Sequence, residues 1–191
     1  MLDYTVNKGV VIRDIYSIKS IILRYLTVEM KKHFVMNSTI VKNLVIFLVI
    51  NFAALALGGL ATSAAVNGEW YQTVNKAPWT PPGWVFGAAW TTIMVCFSIF
   101  MAYAWDIVED KKKLATLFGI QWVLNVSWNP IFFVLHYVLF GLAIISCLTA
   151  LVGYFLFGYR PIMKGKALLM LPYFVWLLIA TSLNLYIFLY N

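Results

Sequence analysis

From Leu44 to Ala65 the chain reads LVIFLVINFAALALGGLATSAA, with no charged residue and only Asn51, Thr62 and Ser63 as polar interruptions. A helix of about 20 such residues, rising ~1.5 Å each, crosses a hydrocarbon layer of roughly 30 Å. Working outward, runs of the same kind recur from Trp84 to Trp105, Leu114 to Phe133, Tyr137 to Tyr159 and Leu168 to Tyr190. None alternates polar and apolar residues as a barrel strand does, and in lipid each backbone amide must be satisfied within its own segment. Composition agrees: 63% of the 191 residues are hydrophobic, more than a soluble domain of this size can hide. The sequence therefore predicts an all-α integral membrane protein, a five-transmembrane-helix bundle.

Charge sets the expected orientation. Lys8, Arg13, Lys19, Arg24, Lys31, Lys32 and Lys42 precede the first run, Lys111 to Lys113 join the second to the third, and Arg160, Lys164 and Lys166 join the fourth to the fifth. Those segments share one side of the membrane, and of the 14 basic residues only Lys76 falls on the other. The positive-inside rule then places the N-terminus in the cytoplasm and the C-terminus outside, an arrangement suited to a bacterial plasma membrane. The net charge of +7 resides in these flanks, where anionic lipid is the expected partner, and implies no nucleic acid. Residues 1–39 form a separate basic extension before the membrane domain of residues 40–191. Its stretch Val10–Leu26 reads as an amphipathic helix on the membrane surface, or else translation starts at Met30 or Met36.

Tryptophan concentrates between the first two runs, in W-Y-Q-T-V-N-K-A-P-W-T-P-P-G-W-V-F-G-A-A-W, residues 70–90. Pro78, Pro81 and Pro82 cannot continue a helix, so this segment is a stiff loop that presents flat apolar rings. The third run carries Gln121, Asn125 and Asn129 at i, i+4 and i+8, with Trp128 and Phe132 beside that stripe. Amides on one face avoid lipid, and either hydrogen-bond between helices or line a cavity. Tyr173, Trp176, Ala180 and Asn184 form a comparable face on the fifth run, where Ala180 reads first as a site of close helix approach and second as a hollow. Ala54/Gly58 and Gly83/Gly87 are small-xxx-small pairs of the kind found at dimer contacts.

The spans lack the ionisable residues of pumps and ion channels. Cys96 and Cys147 read as packing residues. His33 and His136 have no Cys, Asp or Glu at metal-ligand spacing, so no metal site is expected and His136 reads as a solvated interfacial residue before a haem ligand. Hydrolytic triads, phosphate loops and zinc motifs are absent from the sequence.

Three motifs resemble a known family. They are K-A-P-W-T-P-P-G (Lys76–Gly83) with V-F-G-A-A-W-T (Val85–Thr91), Q-W-V-L-N-V-S-W-N-P-I-F-F (Gln121–Phe133) and L-P-Y-F-V-W-L-L-I-A-T-S-L-N (Leu171–Asn184). Together they resemble the TspO/MBR family of tryptophan-rich sensory and translocator proteins, over about Ile40 to Asn191. The resemblance implies five membrane helices, often in a homodimer, with a pocket beneath the first loop for protoporphyrin IX, haem or another tetrapyrrole as ligand, with no other cofactor. By motif position the pocket would draw on Trp70, Tyr71, Pro78, Trp79, Trp90, Asn125, Trp128, Asn129, Phe132, Tyr173, Trp176 and Ala180.

This chain departs from the family pattern at Ala77, where proline is usual, and at Met94 and Ser182, where an aromatic is common; the last two imply a pocket that is roomier or differently selective. Leu185-Tyr186 lacks the following basic residue of the sterol pattern in some animal members. The resemblance supports a binder that senses, buffers or transports porphyrin. Alternatives are an enzyme that degrades porphyrin with light and oxygen, using Trp90 and Trp176 as electron donors, and a lipid or sterol translocator.

Overall fold

Each of the five apolar runs is helical in the computed structural model, which describes residues 38–191. Helix α1 is Ser38–Ala65. It is followed by a short α2 (Glu69–Thr73), then α3 (Gly83–Ile107), α4 (Lys111–Asn129), α5 (Val138–Gly158), α6 (Arg160–Met163) and α7 (Leu171–Tyr190). All five long segments are long and apolar enough to cross a membrane, and no strand occurs among the described residues. The chain divides into two units, Met1–Val41 and Lys42–Asn191. The expected surface helix at Val10–Leu26, the alternative starts and His33 lie outside the described residues.

Helix ends follow hydrogen bonding, not hydropathy, and this explains where they differ from the apolar runs. Backbone pairing continues past the greasy core into the polar margin, so the residues from Ser38 to Asn43 are already helical ahead of Leu44. The next such margin is capped: the Asp110 carboxylate accepts the Lys113 N–H at 2.9 Å, and α4 starts through its three lysines. At the other end of α4, Pro130 has no N–H to give the preceding turn. The helix widens into a π-turn over Pro130–Val134, closed by Leu135 N–H to the Pro130 carbonyl at 2.9 Å. The extra residue per turn brings both Phe132 and Phe133 inside. His136, in the left-handed region at φ 55°, then reverses the chain. The fifth run is less regular than its composition suggests. It is preceded by α6 and opens within a 3₁₀ stretch, Lys164–Met170, and α7 takes over at Leu171 with Pro172 in its first turn, where a missing N–H costs nothing.

Leucine, valine and phenylalanine on the outer faces are exposed, among them Val49, Leu60, Phe140, Phe157 and Leu178. Helix association among lipid tails rests on shape-matched packing, which small residues permit. A Cβ on Gly141 would lie 3.0 Å from the Phe132 ring, and one on Gly153 would lie 3.1 Å from the Phe174 ring. Toward the end of the bundle that carries the lysine-rich connections, Phe97, Phe100, Phe155 and Tyr159 interlock, with Phe97 and Phe155 at 5.8 Å and Phe155 stacked on Tyr159 at 5.7 Å. These four are buried.

Candidate functional site

At the opposite end, between α1, α3 and α4 and under the α1–α3 loop, lies a cavity of about 460 Å³. Its α1 wall is Ala54, Leu55, Gly58, Gly59 and Thr62, with Val66 just beyond the helix end, and its α3 wall is Gly83, Phe86, Gly87 and Trp90. Asn125, Trp128, Asn129 and Phe133 supply the α4 side, and Tyr71, Lys76, Thr80 and Pro81 come from the loop. Small residues make the room. A Cβ added at Gly59, Gly83 or Gly87 would meet nothing within 4 Å, so the space between α1 and α3 is open at this level. Toward the lysine-rich end it closes, where the buried Asn51 amide donates to Ser98 Oγ at 2.9 Å and Ser98 donates to the Met94 carbonyl at 2.7 Å.

The amide stripe of α4 both bonds and lines. Gln121 donates to the Tyr173 hydroxyl at 2.8 Å, which in turn donates to Asn125 Oδ1 at 3.1 Å, a buried relay between α4 and α7. Asn125 and Asn129 also reach the cavity wall. The Asn125 Nδ2 group makes no hydrogen bond among the described residues, leaving a donor at that wall. Thr62 Oγ1 lies 2.8 Å from both Asn129 Oδ1 and the Gly58 carbonyl, and its single proton serves one of them at a time. A Cβ at Gly58 would stand 2.7 Å from Asn129 Nδ2, so any side chain there would have to displace that amide.

Aromatic rings stiffen this end. Trp128 donates to Asn184 Oδ1 at 3.2 Å and stacks on Phe132 at 5.8 Å. Phe132 meets the edge of Trp70, which is itself stacked on His136 at 4.2 Å. The loop is fastened to the end of α7: the Asn75 N–H donates to Asn191 Oδ1 at 2.8 Å, and Trp79 Nε1 donates to Ser182 Oγ at 3.1 Å while its ring packs edge-on against Tyr186. Within the loop, Thr80 gives both its N–H and its hydroxyl to the Ala77 carbonyl, so the turn closes with alanine where the family pattern has proline. Burial pushes the Tyr71 phenol above its ordinary value, so it stays a neutral donor.

Of the residues expected at a pocket, Tyr71, Trp90, Asn125, Trp128 and Asn129 line the cavity. Phe132 and Ala180 border a smaller void of about 30 Å³ next to it, also touched by Tyr71 and Trp128. Trp70, Pro78, Trp79, Tyr173 and Trp176 line neither. Tyr173 stands behind Trp90, ring centres 6.0 Å apart, and Trp176 behind Phe86, at 5.2 Å. Trp79 faces α7 and Trp70 faces His136, as their ring contacts require. Met94 is buried and Ser182 holds Trp79, and neither borders the cavity.

Sequence reasoning missed the α1 wall. The signal was present in the pairs Ala54/Gly58 and Gly83/Gly87, which suggest a dimer contact when read as small-residue motifs. All four line the cavity. The same residue types serve close packing or a hollow, and only the facing helix decides which.

Five membrane-length helices, three of which enclose a chamber walled by indoles, amides and glycines, define a class of membrane protein with an internal ligand-sized cavity. Comparison with known proteins makes the assignment specific: the TspO/MBR family matches residues 46–190, and the chain belongs to that family. It is similar to the tryptophan-rich protein TspO of Archaeoglobus fulgidus, 36% identical over 155 residues, covering 80% of this chain and 96% of the relative. It is also similar to a tryptophan-rich sensory protein of Cereibacter sphaeroides, at 30% identity over 68% of this chain and 82% of the relative. The human translocator protein is 30% identical over 69% of this chain and 82% of its own length. The protein is accordingly an integral membrane protein that sits in a lipid bilayer.

Proposed function

We propose that this protein binds a porphyrin-type tetrapyrrole, protoporphyrin IX or haem, in the chamber between α1, α3 and α4, and so senses, buffers or transports it. The observation that carries this reading is the wall itself. Trp90, Trp128, Phe86 and Phe133 offer apolar faces to a flat ring, while the free Asn125 amide donor, Asn129 and Thr62 offer hydrogen bonds to its polar edge. The volume falls within the roughly 300–1,000 Å³ usual for small-molecule sites. The opening between α1 and α3 suits a guest that arrives through the bilayer. We place the loop end outside and the lysine-rich end in the cytoplasm of a bacterial plasma membrane, on the distribution of basic residues.

The test is titration of the detergent-solubilised protein with protoporphyrin IX, following tryptophan fluorescence. Saturable quenching that weakens in Trp90→Phe and Trp128→Phe is expected. Quenching that grows without limit, or is the same in both variants, would remove the chamber as the site.

A second reading, oxidative breakdown of the bound ring by light and dioxygen, draws support from Trp90, whose indole on the wall could give an electron to an excited macrocycle. Illumination of the complex in air separates the two. Loss of the porphyrin absorption bands in wild type but not in Trp90→Phe marks chemistry, and an unchanged spectrum marks binding alone.

A further inference from the structure

We infer that Gln121, acting through the Tyr173 hydroxyl, lets one point of the chamber wall face its guest with either a hydrogen-bond donor or an acceptor. Gln121 is then a specificity-determining residue that never touches the guest. The inference rests on the binding proposed above and concerns how the wall selects, whatever flat molecule occupies it. Gln121 and Tyr173 are both buried and border no part of the chamber, whereas Asn125 does. In the structure the relay runs outward: Gln121 Nε2 donates to the Tyr173 oxygen at 2.8 Å, Tyr173 donates to Asn125 Oδ1 at 3.1 Å, and Asn125 Nδ2 is left for the guest. At the far end Gln121 Oε1 is sealed in the bundle with no hydrogen-bond partner. That unpaired acceptor is the group the opposite direction needs.

Each link works both ways. A side-chain amide carries its oxygen and its NH2 group on the two arms of one flat fork, and turning the fork over exchanges them while the rest of the side chain stays in place. A phenol hydroxyl both donates and accepts, so its proton can point to either neighbour. With both amides turned over, Asn125 Nδ2 donates to Tyr173, Tyr173 donates to Gln121 Oε1, and Asn125 Oδ1 faces the chamber. The distances of 2.8 and 3.1 Å suit both directions, and no ring or helix has to move. Trp90 and Phe97 hold the Tyr173 ring edge-on, at 6.0 and 5.7 Å, so the hydroxyl oxygen is fixed and only its proton turns. The outward direction is the resting one. It leaves a carbonyl oxygen unpaired, whereas reversal leaves the Gln121 NH2 group unpaired, and a buried N–H without a partner is the less tolerated of the two. A guest with a donor at this point offsets that cost by bonding to Asn125 Oδ1; a guest with an acceptor finds Asn125 Nδ2 already in place.

The competing role for Gln121 is to tie α4 to α7 and nothing more, and the two roles differ in selectivity. Full-length protein in detergent is titrated with matched pairs of flat tricyclic probes: acridine, whose ring nitrogen accepts, against anthracene, and carbazole, whose N–H donates, against fluorene. Partition into empty micelles is subtracted. Wild type should bind acridine about fivefold tighter than anthracene, and carbazole about threefold tighter than fluorene, the smaller figure reflecting the cost of reversal. Gln121→Met leaves Asn125 Oδ1 as the one acceptor for the Tyr173 proton and so locks the relay outward. The acridine preference should then remain and the carbazole preference vanish, with anthracene and fluorene unchanged, which also shows that the variant is folded. Tyr173→Phe cuts the relay and lets Asn125 turn without cost, so the carbazole preference should rise to match that of acridine; this variant carries the test if Gln121→Met does not fold. The inference is overturned if carbazole binds wild type no better than fluorene, if Gln121→Met weakens all four probes alike or keeps the carbazole preference, or if Tyr173→Phe does not raise it. Should protoporphyrin IX still saturate wild type in that case, the chamber remains the site and only the relay falls. Failure of the porphyrin and of every probe to saturate wild type removes the binding proposal, and this inference with it.

Discussion

The two ends of the bundle are built from similar aromatic residues and reach opposite results. Toward the lysine-rich connections, Phe97, Phe100, Phe155 and Tyr159 meet edge to face or stacked and fill the space between α3, α5 and the start of the fifth span. Toward the loop, Trp90, Trp128, Phe86 and Phe133 stand around about 460 Å³ of space. Ring content does not separate them. What differs is the opposing surface, since α1 brings Ala54, Gly58 and Gly59 to the chamber, and α3 contributes Gly83 and Gly87 beside its own rings. A hollow inside a membrane bundle is thus specified by what is withheld from one helix as much as by what is placed on another.

The largest effect should come from making the solid end hollow. Phe97 is completely buried and touches the rings of Phe118, Phe155 and Tyr173. Phe97→Ala should cost about 3 kcal/mol, chiefly through lost contacts and the cavity left behind, and lower the thermal unfolding midpoint in detergent by several degrees. The converse change fills the hollow end. Gly87→Leu places a side chain where an added Cβ meets nothing within 4 Å, so stability should shift by less than about 1 kcal/mol while porphyrin affinity falls at least tenfold. If Gly87→Leu unfolds the protein, or Phe97→Ala does not weaken it, the contrast between the two ends is mistaken.

A comparison within the chamber wall sharpens this. Gly58 and Gly87 both border the space, yet only at Gly58 does the missing side chain make room for a neighbour, Asn129 Nδ2. Gly58→Ala should push that amide aside, disturb its bond with Thr62 and cost about 1–2 kcal/mol, measured by thermal unfolding against a nearly silent Gly87→Ala. Equal costs at the two positions would mean that the wall is as tightly packed as the core.

These contrasts also show where the sequence is legible. The number of spans and their type follow from hydropathy alone, because lipid leaves the backbone no alternative to helices. The α4 stripe is equally readable: amides spaced by one helical turn point the same way whatever surrounds them, and Asn125 and Asn129 reach both roles open to them. The α1 wall is not readable, since glycine carries no sign of whether a neighbour or a void lies opposite. Position in a motif also fails to say which way a ring points. Trp79 and Trp90 belong to one aromatic segment, but Trp79 is turned outward to Tyr186 and Ser182 by a loop geometry that Ala77 and Thr80 fix locally. The π-turn at Pro130 similarly changes the facing of Phe132 and Phe133 by an amount no 3.6-residue period predicts.

The smallest expected effect tests the depth of the aromatic wall. Trp176 shares with Trp90 the motif-based expectation of ligand contact, but it sits one layer back, its ring edge-on to Phe86 and its Nε1 buried without a hydrogen-bond partner. Trp176→Phe removes that unpaired donor and keeps an aromatic ring against Phe86, so the lost packing and the relieved polar group should nearly cancel, within about 1 kcal/mol. Porphyrin affinity should change less than twofold, against a larger loss for Trp90→Phe, whose ring is on the wall. Any light-driven loss of the porphyrin bands should follow the same order, because electron transfer to the macrocycle weakens with separation and Trp90 is the nearer donor. A Trp176→Phe variant that binds as poorly as Trp90→Phe would place the guest deeper than the chamber, between α3 and α7, and move the functional boundary of this end of the bundle by one layer of rings.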